Sequence, residues 1–264
     1  MKQWTMALSL ALAAAATAGQ AHAVDLKGRE IRLAVDPTYP PLEYKTPDGK
    51  LTGFGVDIAN ALCAQLNAHC VWVETSFDGM IPGLIARKFD VISSSMTITP
   101  KRAQQIAFTN KISNAPARLV VRRGSPLLPD ATSLKGKRVG VEQGTSQEDY
   151  ARAKWQPAGV EVVPYQNQDQ VYADLTSGRL DAAFQASIAA SDGFLKRPEG
   201  KDFMFAGQAI DDPTFFGQGD GLGLRKEDTA LRDDFNGALA EILANGTYAR
   251  INKKYFDFDI YGAK

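Results

Sequence analysis

Strand-like apolar runs alternate with helix-periodic segments along most of this chain, and the alternation restricts its fold more than any other feature. Residues 31–35, 70–73 and 89–92 form short apolar runs typical of buried strands. Between these runs, residues 54–66 and 80–86 carry apolar side chains at close to helical spacing. Strands and helices in alternation predict an α/β fold, with a parallel sheet covered by helices.

The alternating pattern occurs twice, with two short echoes in the same order. Leu-Lys-Gly-Arg at 26–29 returns as Leu-Lys-Gly-Lys at 134–137, each time before a strand-like run. Residues 84–91, in which a basic turn leads into a run that opens with aspartate, are echoed by residues 175–182. We interpret this repetition as a duplicated α/β lobe. The chain is expected to cross between the lobes at two extended stretches, 119–123 and 217–224.

The N-terminal segment has the pattern of a secretory signal peptide. Lys2 precedes an apolar run at about 6–18, and Ala-His-Ala at 21–23 is a small-x-small cleavage site. The apolar run is too short to span a bilayer, which needs about 20 residues. We therefore expect residues 1–23 to be removed, so that the mature protein begins at Val24 and lies outside the cytoplasm.

The charge balance argues against nucleic acid as a partner. The chain contains 30 Lys and Arg residues against 30 Asp and Glu residues, and it has no basic tract. Proteins that bind nucleic acid concentrate basic residues in a patch or stripe. The mature length of about 240 residues suits one large domain or two smaller lobes, and the 44% hydrophobic content is ample for a core.

Cys63 and Cys70 are the only two cysteines of the sequence. In an exported protein, this pair predicts a disulfide that closes a short loop. A metal or redox site is the alternative, but the spacing is not C-x-x-C and His69 is the only histidine of the mature chain. We expect neither a metal ion nor a cofactor.

A stretch rich in hydroxyl groups follows the run at 89–92 and leads to an arginine. Thr99 and Pro100 read as an N-cap and a proline at the first helical position, which predicts the start of a helix. Arg102 in its first turn would be explained by an anion held between helix amides, hydroxyl groups and the guanidinium. A solvated arginine after an ordinary loop is the alternative. The hydroxyl-bearing residues of the stretch are Ser93, Ser94, Ser95, Thr97 and Thr99.

Ligands of open α/β sheets bind beyond the carboxyl ends of the strands. In the loop that follows the run at 138–141, Gly144 permits a tight turn before Thr145, Ser146 and Gln147. Two helix starts and one arginine meeting at one point would suit a carboxylate, whereas the alternative is a plain turn with a Ser or Thr cap. The loops that the rule selects are 36–41, 93–102, 142–147 and 185–187.

A second group of residues suits a cation. Asp36 stands at a strand end beside Tyr39, and Phe77 follows the second strand-like run. A carboxylate flanked by aromatic faces can bind an ammonium or guanidinium group whose apolar stem stacks between the rings. The alternative is that both rings belong to the core and that Asp36 caps a turn.

Six stretches spread over the mature chain carry a further signal. They read DPTYPP at 36–41, GFGVDIAN at 53–60, FDGMIP at 77–82, SSMTITPKR at 94–102, GVEQGTSQE at 140–148 and KKYFDF at 253–258. In this order they resemble the periplasmic solute-binding proteins of polar amino-acid ABC importers, solute-binding protein family 3. The similarity is greatest to the members that bind lysine, arginine and ornithine, or histidine.

The resemblance implies a two-lobed periplasmic binding protein fold, in which two hinge-crossing strands join the lobes and a ligand cleft lies between them. Lobe 1 would comprise residues 24–114 and 216–264, and lobe 2 would comprise residues 115–215. The cysteine pair also falls where those proteins carry a disulfide.

The resemblance further implies a role for each site residue. Arg102 would bind the α-carboxylate of an amino acid, helped by Thr97 and Thr145. Tyr39 and Phe77 would enclose its side chain. The remaining implied contacts are the backbone around Ser95, and Asp36 with Ser94 nearby for a distal cation.

Three positions depart from the family's pattern. Ala186 stands where those proteins have an aspartate that binds the α-ammonium, and Gly55 stands where an acid is common. Glu142 stands where a hydrophobic residue is usual. Loss of a charge-assisted bond to a buried ammonium costs about 1.5–3 kcal/mol. Either Glu142 supplies the missing carboxylate, therefore, or the ligand lacks a free primary α-ammonium, as opines do.

The expected function is that of the periplasmic substrate-binding component of an ABC importer. As a monomer, it would close on a cationic amino acid of the arginine, lysine, ornithine or histidine class and deliver it to a membrane permease. A binder of opines, which are N-substituted amino acids, is the first alternative. A periplasmic dehydratase on the same fold, with Glu142 as general acid, is an alternative of another class. The cleft loops offer no histidine and no nucleophile–base pair, so we expect no enzyme.

Overall fold

The computed structural model describes residue 26, residues 28–217 and residues 219–262, so the predicted signal peptide at 1–23 lies outside the described residues. The described chain forms two five-stranded sheets and one three-stranded sheet. The strands in chain order are β1 Glu30–Val35, β2 Thr38–Tyr39, β3 Glu43–Lys45, β4 Leu51–Thr52, β5 His69–Glu74, β6 Val91–Ile92, β7 Ala107–Phe108, β8 Ala117–Arg122, β9 Arg138–Glu142, β10 Glu161–Tyr165, β11 Ala182–Ala186, β12 Phe203–Ile210 and β13 Gly223–Leu224.

Helices follow most of these strands. In chain order they are α1 Phe54–Gln65, α2 Met80–Ile85, α3 Pro100–Ala103, α4 Ser146–Tyr150, α5 Gln168–Thr176, α6 Ser187–Ala190, α7 Pro213–Phe216, α8 Thr229–Ala244 and α9 Thr247–Tyr255. The π-helical turns Ala151–Trp155 and Ser191–Leu195 extend α4 and α6. Short 3₁₀ turns lie at Phe77–Gly79, Gln156–Ala158 and Pro198–Gly200.

The two large sheets share one plan. The strand order is β5-β1-β6-β13-β7 in the first sheet and β10-β9-β11-β8-β12 in the second. In each sheet the first three strands run parallel, the fourth is antiparallel to them, and the fifth is antiparallel to the fourth. The predicted α/β fold with a duplicated sheet is therefore confirmed, and each parallel part is completed by an antiparallel strand.

Each large sheet has its own apolar core. Phe54 of α1 packs edge-on against Tyr248 and Phe256, with ring centroids 5.8 and 5.4 Å away. In the core of the second sheet, the rings of Trp155 and Phe184 lie 4.7 Å apart. Full burial of such a side chain contributes about 1.5–3 kcal/mol to folding. Each apolar core therefore stabilises its own sheet.

The chain passes between the two sheets twice, between β7 and β8 and between β12 and β13. At these crossings the backbone amide of Ile112 donates to the carbonyl of Asp220, and the amide of Asp220 donates to the carbonyl of Ser113, both at 2.8 Å. The predicted crossing at 119–123 is wrong, because those residues lie in or next to β8, inside the second sheet. The lobe boundaries at 114/115 and 215/216 fall within the crossings and stay a prediction.

Two further sequence predictions need correction. The apolar run at 89–92 predicts that Phe89 lies in a strand, but the strand covers only Val91–Ile92, and Phe89 packs against Gly83 of α2. The apolar spacing predicts a final helix from 229 to about 243, but α8 is followed by a further helix, Thr247–Tyr255, in which only Tyr248 and Asn252 are buried. Tyr248, Ile251 and Tyr255 recur at helical spacing in this segment, but Asn245-Gly246 before it reads as the end of a helix, so the sequence does not predict a helix there.

The predicted disulfide is present and joins Cys63 of α1 to Cys70 of β5. It ties the helix that covers the first sheet to the edge strand of that sheet. None of the helices in the described part of the chain combines the length and the apolar character that a bilayer crossing requires.

Candidate ligand-binding site

A cavity lies between the two sheets, at the carboxyl ends of their parallel strands. All twelve residues that the sequence predicted for the site are on its wall: Asp36, Tyr39, Phe77, Ser94, Ser95, Thr97, Arg102, Glu142, Thr145, Ser146, Gln147 and Ala186. Sequence reasoning missed three further wall residues, Leu42, Ala115 and Asp220. The structure thus brings the predicted residues together, and their roles toward a ligand remain predictions.

Arg102 is held in the cavity wall by backbone carbonyl groups from both sheets. Its Nη1 donates to the carbonyl of Thr97 at 2.8 Å, and its Nη2 donates to the carbonyl of Gly144 at 3.0 Å. The guanidinium lies 5.4 Å from the centre of the Phe77 ring. Burial lowers the pKa of Arg102 to about 10, so the group remains a cation at neutral pH.

The helix that carries Arg102 begins as predicted but is short. Thr99 is its N-cap, and the Thr99 hydroxyl oxygen accepts a hydrogen bond from the backbone amide of Arg102 at 3.2 Å. The helix spans only Pro100–Ala103, so its dipole is weak. Attraction for an anion therefore comes from the guanidinium and from the hydroxyl groups around it.

The turn after β9 supplies hydroxyl groups from the other side of the cavity. Gly144 has φ +78°, a conformation that glycine adopts without strain. The Thr145 hydroxyl donates to the carbonyl of Glu142 at 2.6 Å and accepts from the amide of Glu148 at 3.1 Å, which caps α4. The Ser146 hydroxyl lies 3.5 Å from that of Thr97. Hydroxyl groups from both sheets thus meet beside Arg102.

Asp36 lies in the wall beyond the end of β1. Its Oδ1 accepts hydrogen bonds from the amide and hydroxyl of Thr38 at 3.2 and 2.8 Å, and its amide donates to the Ser94 hydroxyl at 3.0 Å. Burial raises the pKa of this carboxyl above its ordinary value, and the bonds from Thr38 oppose the shift. The bonds from Thr38 show that Asp36 caps a turn, as in the alternative reading. The same carboxylate also lines the cavity, so a ligand can reach it.

Glu142 is the last residue of β9 and is only 4% exposed. No residue in the described part of the chain donates a hydrogen bond to its carboxylate. Burial raises its pKa well above the ordinary value, and the neighbouring carboxylates of Asp36, Asp169 and Asp78 raise it further. A buried carboxyl group in this position favours the arrival of a cation.

Asp220 is the charged wall residue that the sequence did not reveal. Its Oδ2 accepts from the Ser113 hydroxyl at 3.2 Å, and Thr97 is a second hydrogen-bonding partner. Burial raises its pKa to about 7, while the Thr97 and Ser113 bonds and the charge of Arg102 oppose the shift. Only its position between Gly219 and Gly221, at an expected crossing of the chain, could have drawn attention to it.

The two predicted aromatic residues lie on the cavity wall. The Tyr39 hydroxyl accepts a hydrogen bond from the backbone amide of Ala186 at 3.4 Å, a contact between the two halves of the protein. Phe77 faces the guanidinium of Arg102 across the cavity wall. The alternative in which both rings belong only to the core is therefore not what the structure shows.

The glycine at position 55 has a packing explanation. A Cβ atom on Gly55 would overlap the carboxylate of Glu43, which is 1% exposed. The hydroxyl of Ser95 donates to both oxygens of that carboxylate, at 2.9 and 3.1 Å. Glu43 thus occupies the space that a side chain at position 55 would need. It lies directly behind Ser95, which is part of the cavity wall.

The sequence of this chain is similar to that of known binding proteins over its whole length. Residues 31–258 match the family of bacterial extracellular solute-binding proteins, family 3. The chain is 52% identical to the histidine-binding periplasmic protein of Salmonella typhimurium and 49% identical to the lysine/arginine/ornithine-binding periplasmic protein of Escherichia coli. Each alignment covers 99% of this chain and 100% of the relative.

A solved structure gives the same result. A Salmonella typhimurium periplasmic binding protein with high arginine specificity superimposes with a TM-score of 0.80 at 33% identity, over 87% of this chain and 100% of that chain. The two-lobed fold implied by the sequence is therefore shared with a protein whose ligand is an amino acid.

Proposed function

This chain belongs to the bacterial extracellular solute-binding proteins of family 3, and we propose that it is the periplasmic substrate-binding component of an ABC importer for a cationic amino acid. It is a binding protein rather than an enzyme, as are the relatives that match its whole length. Those relatives are periplasmic proteins that bind histidine, or lysine, arginine and ornithine.

One observation carries the proposal: the carboxylates of the cavity wall outnumber its cations. Asp36, Glu142 and Asp220 line the cavity together with a single cationic side chain, Arg102, among the described residues. Buried charges are stable when they are paired. A ligand with two cationic groups and one carboxylate would pair with this wall, and arginine, lysine and ornithine have that composition.

The wall also suggests how such a ligand lies. Arg102 would bind the α-carboxylate with the hydroxyl groups of Thr97 and Ser146, which lie close together, while Thr145 holds the turn in place through its bond to the carbonyl of Glu142. The apolar stem would lie against Tyr39 and Phe77. The remaining proposed contacts are Asp36 and Ser94 for the distal cation, with Ser95, Gln147 and Ala186 completing the wall.

Transport would follow from closure of the two halves around the ligand. Bonds between the halves, such as Arg102 to the carbonyl of Gly144, exist only when the cleft is closed. A ligand that contacts both walls shifts the equilibrium toward this form. We propose that the closed monomer docks on a membrane permease, and that residues 1–23 direct export to the periplasm before they are removed.

The proposal is tested by a thermal-shift screen of the mature chain, followed by calorimetric titration. We expect L-arginine, L-lysine, L-ornithine or L-histidine to raise the melting temperature, because a ligand that binds only the native state stabilises it. L-glutamate and L-leucine serve as controls, because they keep the α-ammonium and the α-carboxylate but have no cationic side chain. A rise with L-glutamate and none with the cationic amino acids would contradict the proposal.

A second candidate ligand class, the opines, is favoured by the methyl group of Ala186 at the cavity wall. Its backbone amide is already bonded to Tyr39, so this position offers no side-chain acceptor for an α-ammonium. Octopine, which carries a carboxyalkyl group on the α-nitrogen of arginine, belongs in the same screen. Tighter binding of octopine than of L-arginine would favour the opine assignment.

A further inference from the structure

Glu142 carries a carboxyl group on the cavity wall to which no described residue donates a hydrogen bond. It lines the cavity, it is 4% exposed, and the groups nearest to it in electrostatic terms are acids, namely Asp36, Asp169, Asp78 and Glu43. An uncompensated buried carboxylate is unfavourable until a cation or donor reaches it. The geometry of the turn that follows indicates which cation that is.

The turn after β9 places the backbone of Glu142 beside the proposed carboxylate-binding groups, and the Glu142 side chain lines the same cavity. The Thr145 hydroxyl donates to the carbonyl of Glu142 at 2.6 Å, and Arg102 donates to the carbonyl of Gly144 in the same turn. In an α-amino acid, the ammonium and the carboxylate are attached to the same carbon. The partner of the ammonium must therefore lie next to the partners of the carboxylate.

The other wall carboxylates are less suited to the α-ammonium. Asp36 lies on the opposite wall, where Thr38 donates to its carboxylate and Ser94 bonds its amide. Asp220 lies near Arg102, but its carboxylate already accepts hydrogen bonds from Ser113 and Thr97, whereas no described residue donates to the carboxylate of Glu142.

We infer that Glu142 binds the α-ammonium of the ligand and makes a free primary α-ammonium a requirement for tight binding. The inference rests on the proposed function, because it assigns one contact of the same ligand. The inference also explains Ala186 at the end of β11. If Glu142 at the end of β9 binds the α-ammonium, no carboxylate is needed at position 186.

The test compares two ligands that differ only in the α-amino group. L-arginine and 5-guanidinopentanoate share the carboxylate, the stem and the guanidinium, and calorimetric titration gives the affinity of each for the parent protein and for Glu142→Gln. We expect the substitution to weaken L-arginine about tenfold to a hundredfold, the range for a charge-assisted bond, and to change 5-guanidinopentanoate by less than about threefold. If the screen favours another cationic amino acid, its own α-deamino analogue replaces 5-guanidinopentanoate.

Two variants make the result specific. Asp36→Asn is the matched control, because loss of a distal contact should weaken both ligands by a similar factor. Glu142→Gln combined with Ala186→Asp moves the carboxylate to the neighbouring strand end, and we expect it to recover at least part of the preference for the α-amino ligand. This recovery would also show that the Glu142→Gln background folds.

The outcomes separate the inference from the proposed function. If the parent binds L-arginine and Glu142→Gln weakens both ligands equally, the assignment of Glu142 is overturned while the proposed function stands. Failure of the double variant to regain any preference would count against the assignment as well. If the parent binds no cationic amino acid, the proposed function falls and the assignment falls with it.

Discussion

The guanidinium of Arg102 donates a hydrogen bond to the backbone carbonyl of Gly144, 3.0 Å from its Nη2 and 42 residues further along the chain. A second bond, from Nη1 to the carbonyl of Thr97 at 2.8 Å, stays within the half that carries Arg102. Arg102 therefore joins the two walls of the cavity while its charge faces the interior. Ligand binding and closure of the cleft depend on the same side chain.

Arg102→Ala should remove most of the affinity for amino acids and leave the fold intact. Loss of one partner of a buried charge pair at an interface costs about 2–5 kcal/mol, which corresponds to at least about thirtyfold in affinity. We expect the ligand-free variant to unfold cooperatively, because Arg102 belongs to neither apolar core. Calorimetric titration with L-arginine measures the loss. Agmatine, which lacks the carboxylate, should lose less, and equal losses for both ligands would contradict the carboxylate role.

Gly144→Ala should hold the two halves apart. A Cβ atom at this position would lie 2.8 Å from the Cα and 3.0 Å from the Cβ of Asp78 on the opposite wall. Because the contact involves backbone, the halves must separate to relieve it. If the contact makes the free energy of closure about 1.4 kcal/mol less favourable, ligand binding should weaken about tenfold. Small-angle scattering should show a smaller ligand-induced decrease in the radius of gyration.

Gly178→Ala is the matched control for this substitution. Gly178 has φ +79°, nearly the value of Gly144, but no atom lies within 4 Å of a Cβ placed there. Both variants bear the strain of a left-handed non-glycine residue, about 1–2 kcal/mol of stability. Only Gly144→Ala should lose affinity. If both variants lose affinity equally, backbone strain rather than contact between the walls would be the cause.

The cavity was predictable from sequence because the ends of parallel strands meet at one edge. Asp36 follows β1, Thr97 follows β6 and Glu142 ends β9, and each of these strands is visible as an apolar run. Once the runs are identified, the loops beyond them are fixed by topology. The wall could therefore be predicted without knowledge of any distance.

The residues that were missed depend on pairings that leave no local pattern. Asp220 reaches the wall because it pairs with Ser113, 107 positions earlier. Glu43 is fixed by Ser95, 52 positions later, and its carboxylate in turn leaves room only for glycine at position 55. Such long-range contacts follow from the way the two halves join. Local periodicity does not contain that information.

Lys101 and Asp149 should slow the release of ligand. The Nζ of Lys101 lies 2.7 and 2.8 Å from the two carboxylate oxygens of Asp149, and the pair joins α3 of one wall to α4 of the other. Exposed ion pairs contribute about 0–1 kcal/mol, so Lys101→Ala should raise the dissociation rate by up to about fivefold. The effect should shrink at high salt, which screens exposed charges. Stopped-flow displacement measures the rate.

A charge exchange and a remote pair control this prediction. Lys101→Asp combined with Asp149→Lys should restore a slow rate relative to either single substitution. Lys254→Ala removes a 2.7 Å ion pair with Asp57 that lies entirely within the first half, and it should not change the rate. An equal increase on breaking either pair would show that the effect is not specific to the cleft.

Asp220 should make the ligand-free protein less stable as the pH rises. Its pKa is raised to about 7 in the folded state by burial, from an ordinary value of about 3.9 when unfolded. Between these two values the folded state holds a proton that the unfolded state has lost, so the free energy of unfolding falls with rising pH. The loss begins near the unfolded value and is complete above the folded value. At about 1.4 kcal/mol per pKa unit, its size is on the order of 2–4 kcal/mol.

Asp220→Asn isolates this contribution, because an amide oxygen can still accept the bonds from Ser113 and Thr97 but does not titrate. Urea unfolding of the parent and the variant from pH 4 to pH 8 gives the difference in free energy at each pH. We expect the variant to gain stability over the parent as the pH rises, and the gain to level off above about pH 7 where the parent carboxyl is ionised. Subtraction removes the titration of every other group that the two proteins share. If the difference in unfolding free energy does not change with pH, Asp220 has an ordinary pKa. If it shifts in favour of the parent at high pH, Arg102 stabilises the ionised form of Asp220 more than burial destabilises it.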